Sequence, residues 1–294
     1  MSDEPWRLSV FGDEVAIDLE EQCAALRARE IPGVELRSAW GVNVSDFDAA
    51  QLERAAAVLR DTGIEVSAIG SPLGKVPAEE DPAAEVDRVR RSFDAAVRLG
   101  TRQVRVFSYF VEGRYAELRD TVLRRVAALA REAERRELLL VMENESYLYG
   151  DLPERCLDVL ETVGSPALRF AFDPANFVQC GIRPIVEAWP RLRPFTVHVH
   201  IKDAVAVDRS GLPPYPAEVP GERLMSSVRP AGEGEGGIRE LLQALRADDY
   251  GGRLTLEPHL AGRYPDLDGP GRLDVAVGAL RRLLGEVRSG TAGQ

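Results

Sequence analysis

Short apolar segments alternate with longer amphipathic segments along the whole chain. Several of the apolar segments, such as LLLVM at 138–142, show no alternation of polar and apolar positions. That pattern is typical of parallel strands that are covered on both faces. The eight predicted strands are Leu8–Phe11, Gly33–Leu36, Ile64–Ile69, Val104–Phe107, Leu138–Met142, Leu168–Phe172, Phe195–Ile201 and Leu254–Leu256.

The segments between these strands have helical periodicity. In one of them, apolar residues recur every three or four positions and so share one helix face. They are Leu118, Val122, Val126, Leu129 and Ala133. Eight strand and helix units without a break in composition predict an α/β fold, a single (β/α)8 TIM barrel over residues 1–285. An open, doubly wound sheet is the structural alternative.

Two segments fall outside this repeat. The connection 203–230 holds five of the 19 prolines and follows the seventh strand. A connection of this length in a compact domain is usually functional, and we predict a lid loop at the rim of the barrel. Residues 286–294 are predicted to form a flexible C-terminal tail.

The charge balance narrows the choice of partners. There are 37 Lys and Arg against 48 Asp and Glu, a net charge of −11, which argues against a nucleic-acid partner. No apolar run approaches the roughly 18 residues that a membrane span needs, and the segment MSDEPWRLSV lacks the layout of a signal peptide. We therefore expect a cytoplasmic protein with no membrane partner. Three scattered cysteines without a C-x-x-C pair predict neither a disulfide framework nor a zinc knuckle.

Polar residues end the last four predicted strands. They are Glu143, Asp173, His200 and Glu257. Reactive groups of such a barrel project from the carboxyl ends of its strands, so we expect the four side chains to meet at one mouth. Three carboxylates and one imidazole suit Mn²⁺, Mg²⁺ or Co²⁺ better than a structural zinc. Taken singly, a carboxylate at the end of a strand is more often a loop hydrogen-bond acceptor or a helix cap, but four such residues at four consecutive strand ends favour a shared site.

The sequence around these residues forms an ordered set of short motifs. The motifs are VMENE around Glu143, FDPANF around Asp173, HVHIKD around His200, GEGE at 232–235 and LTLEPHL around Glu257. In the first half of the chain they are DLEEQ at 18–22, VELR at 34–37 and VSAIGSPLGK at 66–75. Together they resemble the sugar phosphate isomerase/epimerase family, the xylose isomerase-like TIM barrels.

The resemblance implies a metal-dependent enzyme. One divalent metal ion would be held by Glu143, Asp173, His200 and Glu257, with Mn, Mg or Co expected and Zn as an alternative. Glu143 and Glu257 would also be the catalytic acid/base pair. The implied activity is an isomerase or epimerase in carbohydrate metabolism, which removes a proton next to the carbonyl of a ketose or related polyhydroxy ketone through a metal-stabilised enediolate. Relatives often form dimers or tetramers, so a homo-oligomer is in keeping with the family.

Departures from the family pattern limit the assignment. Tyr149 stands where ketose epimerases carry a second Glu, and Ala206 stands where they carry an Arg, which weakens a hexulose 3-epimerase assignment. Three histidines are too few for a trinuclear zinc endonuclease. An isomerase that works by hydride shift needs a second metal ion, and Asp203 is the main residue left over to bind it, so this mechanism is disfavoured. An inosose-type dehydratase (a lyase) on the same metal site, and a non-catalytic sugar-binding barrel that retains the metal, are the alternative functions.

Two rare residues are candidates for substrate binding. Only Lys75 and Lys202 are lysines, against 35 arginines, and both lie inside motifs. Because the chain otherwise uses Arg for its cations, a lysine that remains indicates a position where a compact ammonium contacts substrate oxygens or the metal ligands. The alternative is that these two lysines remain by chance.

Further candidates lie near the other strand ends. Arg37 is expected to bind a substrate hydroxyl or carboxylate, and Trp40 is expected to line the pocket beside the sugar ring. The alternative is that Arg37 and Trp40 serve only salt bridges and packing at the rim. Asn176 stands where several relatives carry a substrate-binding His. His198 points the same way as His200 by strand alternation, as a substrate contact or as a buried core residue. His259 is a candidate to orient a metal-binding carboxylate.

The stretch GEGEGG at 232–237 matches G-x-G-x-x-G. A proline-rich connection precedes it where a dinucleotide fingerprint needs a strand. We interpret it as the turn that begins the seventh helix of the repeat, the one that follows the seventh strand. Glu233 and Glu235 would repel an anion there, so the motif does not support a phosphorylated substrate.

Overall fold

The eight predicted strands close into one barrel. The computed structural model describes residues 6–208, 210–211 and 219–290. The barrel strands are β1 Arg7–Phe11, β2 Gly33–Leu36, β3 Glu65–Ile69, β4 Gln103–Val106, β5 Leu139–Glu143, β6 Leu168–Phe172, β7 Thr196–Ile201 and β8 Arg253–Leu256. The strand bounds agree with the predicted ones to within one residue.

All eight strands run parallel, and each pairs with its neighbours in chain order. Strand β8 closes the ring by pairing with β1, with Leu254 opposite Leu8. A closed ring confirms the predicted TIM barrel, and the alternative of an open sheet is wrong.

Helices cover the outside of the barrel. The α-helices of the described residues are α1 Leu19–Arg27, α2 Ala49–Thr62, α3 Val86–Arg98, α4 Tyr115–Arg135, α5 Pro153–Val163, α6 Pro174–Gln179, α7 Trp189–Leu192, α8 Gly221–Ser227, α9 Ile238–Ala247 and α10 Gly269–Ser289. Two-residue strands also pair in antiparallel fashion, Ser38–Ala39 with Val42–Asn43 and Asp203–Ala204 with Val228–Arg229. None of these helices is long and apolar enough to cross a membrane.

The predicted apolar face of α4 packs against the barrel. Leu118, Val122, Val126, Leu129 and Ala133 are all buried in the main hydrophobic core. Burying a valine or leucine side chain contributes about 1.5–3 kcal/mol relative to leaving it in water. This face therefore fixes α4 against the barrel, where it packs on β5.

The barrel interior contains a polar layer as well as apolar side chains. Ser9, on β1, makes hydrogen bonds of 2.9 Å to Ser67 and 2.6 Å to Thr255. Thr255 in turn lies 3.3 Å from the Nε2 atom of His198. A connected row of side chains thus leads from inside the barrel towards its carboxyl-end mouth.

The two segments outside the repeat are more ordered than the sequence suggests. Within the predicted lid 203–230, α8 and the strand pair 203–204 with 228–229 are formed, while residues 209 and 212–218 lie outside the described residues. Helix α10 runs to Ser289 and buries Val287, so a tail beginning at 286 is wrong for those helical residues. Residues 291–294 lie outside the described part.

Candidate active site

The four strand-end residues meet at the carboxyl-end mouth of the barrel. Glu143, Asp173, His200 and Glu257 are all buried, and each offers one ligand atom within 4.8 Å of the others. Glu143 is the last residue of β5, and Asp173 and Glu257 directly follow β6 and β8. Because the strands are neighbours in the ring, their ends place the four groups side by side.

Local hydrogen bonds fix the orientation of the carboxylates. The N–H of Asp173 donates to Asn144 Oδ1 at 3.0 Å, and Asn144 Nδ2 donates to the Asp173 carbonyl at 2.9 Å. Asp173 also caps α6 by accepting from the Asn176 N–H at 2.9 Å. Asn176 Nδ2 donates to Glu143 Oε1 at 3.3 Å. The loops after β5 and β6 are therefore locked to each other around the site.

The two ring nitrogens of His200 face different carboxylates. Its Nδ1 atom lies 3.1 Å from Glu143 Oε1 and 3.8 Å from Asp173 Oδ2. Its Nε2 atom lies 3.3 Å from Glu35 Oε2, which also lies 2.7 Å from His198 Nε2. Only the Nδ1 atom therefore points into the group of four.

Cationic side chains surround the two glutamates. Arg105 donates to Glu143 Oε2 at 3.2 Å, and Arg37 donates to Glu257 Oε1 at 3.0 Å. Lys202 Nζ lies 2.8 Å from both Glu257 Oε2 and Asp173 Oδ2.

These contacts set the protonation of the site. Burial raises the pKa of Glu143, but His200 and Arg105 outweigh it and bring that pKa to about 2. Burial opposes ionisation of Glu257 as well, yet Lys202 and His259 hold its pKa well below the usual range. At Asp173 burial outweighs Lys202, and the pKa is raised. Both glutamates are thus ionised at neutral pH.

The four residues fit a divalent metal ion. Three carboxylates crowded into a buried site repel one another, and a cation among them would offset that repulsion. Asp173 Oδ2 accepts no hydrogen bond of good geometry from the described residues, although Lys202 Nζ is near. A mixed set of carboxylate oxygens and one imidazole nitrogen suits Mn²⁺, Mg²⁺ or a similar ion.

A cavity of about 510 Å³ opens above these residues. Its charged lining residues are Arg37, Lys75, Arg105, Glu143, Glu145, Lys202, Glu257 and His259. Asn176 and, from the predicted lid, Leu224, Met225 and Val228 line it too. A larger groove of about 810 Å³ lies on the outer surface, between α3 and α4, and neither Glu143 nor Glu257 lines it. The smaller cavity is therefore the candidate active site.

Most of the predicted substrate contacts line this cavity. Arg37, Lys75, Asn176 and Lys202 do so. Lys75 also makes an ion pair of 2.8 Å with Glu145 at the rim. His198 is not among the lining residues but lies beneath them, bonded to Glu35, so a direct substrate contact is not supported for it.

The expected position of Trp40 is wrong. Its indole N–H donates to Glu20 Oε2 at 3.0 Å, and its ring packs against Phe47 and Arg54 on the outside of the barrel. Trp40 has a φ of +54°, so the chain turns in the left-handed region there and carries the ring away from the cavity.

Arg105 and Glu145 are lining residues that the strand-end rule missed. Arg105 lies within β4, between Val104 and Val106, and is 5% exposed. A charged residue inside an apolar strand is a signal that could have pointed to it. Glu145 follows Glu143 in the VMENE motif, and only the fold shows that both side chains border the cavity.

Asp203 is not a spare metal ligand. Its two carboxylate oxygens accept from the backbone N–H groups of Ala204, Gly232, Gly234 and Gly236 at 2.8–3.0 Å. A Cβ atom at Gly234 would lie 2.3 Å from Asp203 Oδ1, which explains glycine at that position. The GEGEGG turn thus precedes α9, as predicted, and its amide groups enclose a carboxylate of the chain itself.

The positions that depart from the ketose epimerase pattern lie away from the cavity. The Tyr149 hydroxyl donates to Asp158 at 2.6 Å, and Ala206 is exposed. Neither is among the residues that line the cavity.

A parallel barrel with polar groups gathered at its carboxyl-end mouth defines the class of TIM-barrel proteins that carry their functional site there. The chain belongs to the xylose isomerase-like TIM barrel family, whose family model matches residues 23–283. This confirms the resemblance drawn from the motifs.

Individual relatives agree with this family. A 2-epi-5-epi-valiolone 7-phosphate 2-epimerase from an Actinoplanes species is 31% identical over 199 residues, which cover 65% of this chain and 63% of that protein. A xylose isomerase domain protein from Planctomyces limnophilus is 18% identical with a TM-score of 0.75, covering 98% of this chain and all (100%) of the other. A xylose isomerase-like TIM barrel protein from Mycobacterium smegmatis in complex with magnesium is 17% identical with a TM-score of 0.70, covering 98% of both chains. The two structures show the shared fold.

Proposed function

We propose that the protein is a divalent-metal-dependent isomerase or epimerase that acts on a ketose or related polyhydroxy ketone. One observation carries the proposal: two ionised glutamates, Glu143 and Glu257, border the same cavity. They extend from β5 and β8, and the two strands between them bring Asp173 and His200. Two bases that approach a substrate from separate strands suit the removal of a proton on one face and its return on the other.

The chain's own residues supply most of this chemistry. One ionised glutamate takes the proton from the carbon next to the carbonyl. The other glutamate takes up a proton from water and delivers it to the opposite face of the planar enediolate, and the first glutamate then releases its proton to water. Arg105 and Lys202 keep the two carboxylates ionised between turnovers. A metal ion held by Glu143, Asp173, His200 and Glu257 would polarise the carbonyl as a Lewis acid.

The relatives support this proposal in two ways. The Actinoplanes relative is named as an epimerase, and the magnesium complex of the Mycobacterium protein supports a divalent ion in a barrel of this fold. The group of three carboxylates and one imidazole is consistent with both.

Dehydration is the second candidate function. His259 lines the cavity, with its Nε2 atom 3.1 Å from Glu257 Oε1. Burial lowers the pKa of His259, but Glu257 and Glu14 outweigh it and raise that pKa to about 9. A protonated imidazole at this place could give its proton to a departing hydroxyl group, as a lyase requires.

Proton exchange in D₂O tests the proposal directly. The protein is loaded with Mn²⁺ or Mg²⁺ and incubated with a panel of ketoses and inososes, each with and without a phosphate group, and the products are followed by NMR. We expect deuterium next to the carbonyl together with an epimer or isomer. Exchange followed by loss of water would favour the dehydratase instead. Binding without exchange would contradict both and favour a sugar-binding barrel.

Matched variants tie the activity to the site. Glu257→Gln and Glu143→Gln are expected to abolish exchange and to weaken metal binding. Glu85→Gln is the control, because Glu85 is a buried glutamate bonded to Arg125 that lies outside both the active-site cavity and the group of four. Near-normal exchange in Glu257→Gln would contradict the assignment.

A further inference from the structure

Glu35 is a buried charge that the proposed reaction does not use. It lies within β2, has no exposed surface and is not among the residues that line the cavity. Both of its described contacts use the same oxygen, Oε2, at 2.7 Å from His198 Nε2 and 3.3 Å from His200 Nε2. The other oxygen, Oε1, accepts no hydrogen bond from the described residues. A charge buried this deeply needs a specific reason to be there.

A second metal ion is one explanation for this cluster. Glu35, His198 and His200 lie near enough to one another to hold an ion. However, His200 would then serve two ions, because its Nδ1 atom belongs to the first group of four. A neutral imidazole has one lone pair and one N–H, so it can bind one ion only. The 2.7 Å separation between Glu35 and His198 is also an ordinary hydrogen-bond distance.

We infer that Glu35 is a positioning residue for His200, and that His198 in turn positions Glu35. Glu35 Oε2 accepts the Nε2–H of His200, which selects the tautomer whose Nδ1 lone pair points towards Glu143 and Asp173. This rests on the proposed metal site. A hydrogen bond from the second nitrogen of a metal-binding imidazole fixes both the ring orientation and the tautomer.

The surroundings of His198 support this arrangement. Its Nε2 atom contacts both Glu35 and Thr255, and Thr255 is bonded to Ser9. The His198 ring also lies edge-on to the His200 ring, with centroids 5.1 Å apart and an interplanar angle of 88°. His198 and the polar row of the barrel interior therefore hold Glu35 from below. Among the described residues, His200 is its one contact towards the mouth.

Metal affinity is the first test. Glu35→Leu removes the acceptor and is expected to weaken Mn²⁺ binding about 10- to 100-fold in calorimetry, as loss of such partners does elsewhere. Glu35→Gln keeps an acceptor oxygen and should lose less. Glu85→Gln is the matched control, since Glu85 is another buried glutamate, 6% exposed against 0% for Glu35, and is bonded to Arg125 instead. Loss of affinity in Glu85→Gln as large as in Glu35→Leu would show general loosening of the barrel and overturn the inference.

The tautomer is the second test, and it does not depend on activity. With only three histidines, ¹⁵N NMR of the Zn²⁺-loaded protein can be assigned with His198→Asn and His259→Gln. We expect His200 to carry its proton on Nε2 in the unmodified chain and to lose that preference in Glu35→Leu. A His200 spectrum and a Mn²⁺ affinity that are unchanged in Glu35→Leu would each refute the positioning role.

The inference and the proposed function fail in different ways. A chain that binds Mn²⁺ through a Glu35-dependent His200, yet exchanges no ketone proton, would refute the proposed function and leave the positioning role in place. A chain that binds neither Mn²⁺ nor Zn²⁺ would refute both.

Discussion

Asn144 and Asp173 join the ends of β5 and β6 through two reciprocal hydrogen bonds, of 2.9 and 3.0 Å. Glu143 precedes Asn144, so this pair sets the spacing of two of the four proposed metal ligands. Asn144→Ala would leave two buried backbone groups without partners, and an unsatisfied buried group costs about 1–3 kcal/mol. We expect the free energy of unfolding to fall by about that amount in urea titrations, and Mn²⁺ affinity to fall with it.

Asp48→Ala provides the comparison for that variant. The Asp48 side chain caps α2 by accepting a hydrogen bond from the Gln51 N–H at 2.8 Å, and Asp48 is not among the residues that line the cavity. It should lose some stability and keep its Mn²⁺ affinity. Equal Mn²⁺ binding in both variants would show that the Asn144 pair does not hold the ligands.

The two lysines are expected to differ in their tolerance of arginine. Lys202 is 7% exposed and lies between two carboxylates, so a wider guanidinium would displace one of them. If the displaced carboxylate costs the transition state about 1–3 kcal/mol, turnover in Lys202→Arg falls about 5- to 150-fold. Lys75 lies at the open rim, and Lys75→Arg should keep most of the turnover. Steady-state kinetics of both variants decide this, and full activity in Lys202→Arg would refute the need for an ammonium there.

His259 is expected to make stability depend on pH. Its pKa is raised from 6.5 to about 9 by Glu257 and Glu14, against the effect of burial. A raised pKa contributes stability that is complete below about pH 6.5 and is lost as the pH rises through about 9. The difference in unfolding free energy between the unmodified chain and His259→Gln should therefore shrink between pH 6 and pH 10, by up to about 3 kcal/mol. Urea titrations in EDTA measure it, and a difference that is constant with pH would contradict the ion pairs of His259.

Trp40 should matter for stability and not for substrate binding. Its indole is held by Glu20 and packs against Phe47 outside the cavity. Trp40→Ala is expected to lower the free energy of unfolding by about 1–3 kcal/mol, as loss of a partly buried side chain does. The KM for an active ketone should change little. A large rise in KM without loss of stability would contradict this prediction and show that Trp40 contacts the substrate.

The fold could be predicted from the sequence because the burial of a strand determines which of its positions are apolar. Strands covered on both faces must be apolar throughout, so β5 and β6 are visible as uninterrupted runs. The four proposed ligands were found for a related reason. In a parallel barrel every strand ends at the same mouth, so Glu143 and Glu257 converge although 114 positions separate them.

Other parts of the site depend on features that local sequence does not record. The direction of Trp40 is set by a left-handed turn, and nothing in its own type predicts that turn. Three of the four partners of the Asp203 carboxylate lie 29 to 33 positions away in the chain. His198 points into the barrel as strand alternation predicts, but its partner Glu35 lies 163 positions away in the chain, so local sequence does not show that the two are bonded.

The Asp203 carboxylate has a consequence for the way the site meets its ligand. Four backbone amides that could receive an anion from solution are already bonded within the chain. The turn between the predicted lid and α9 is thus assembled before any substrate arrives, and binding need not pay the entropy of ordering it. In the proposed site, discrimination between ligands would then rest on side chains that line the cavity, such as Lys75 and Glu145.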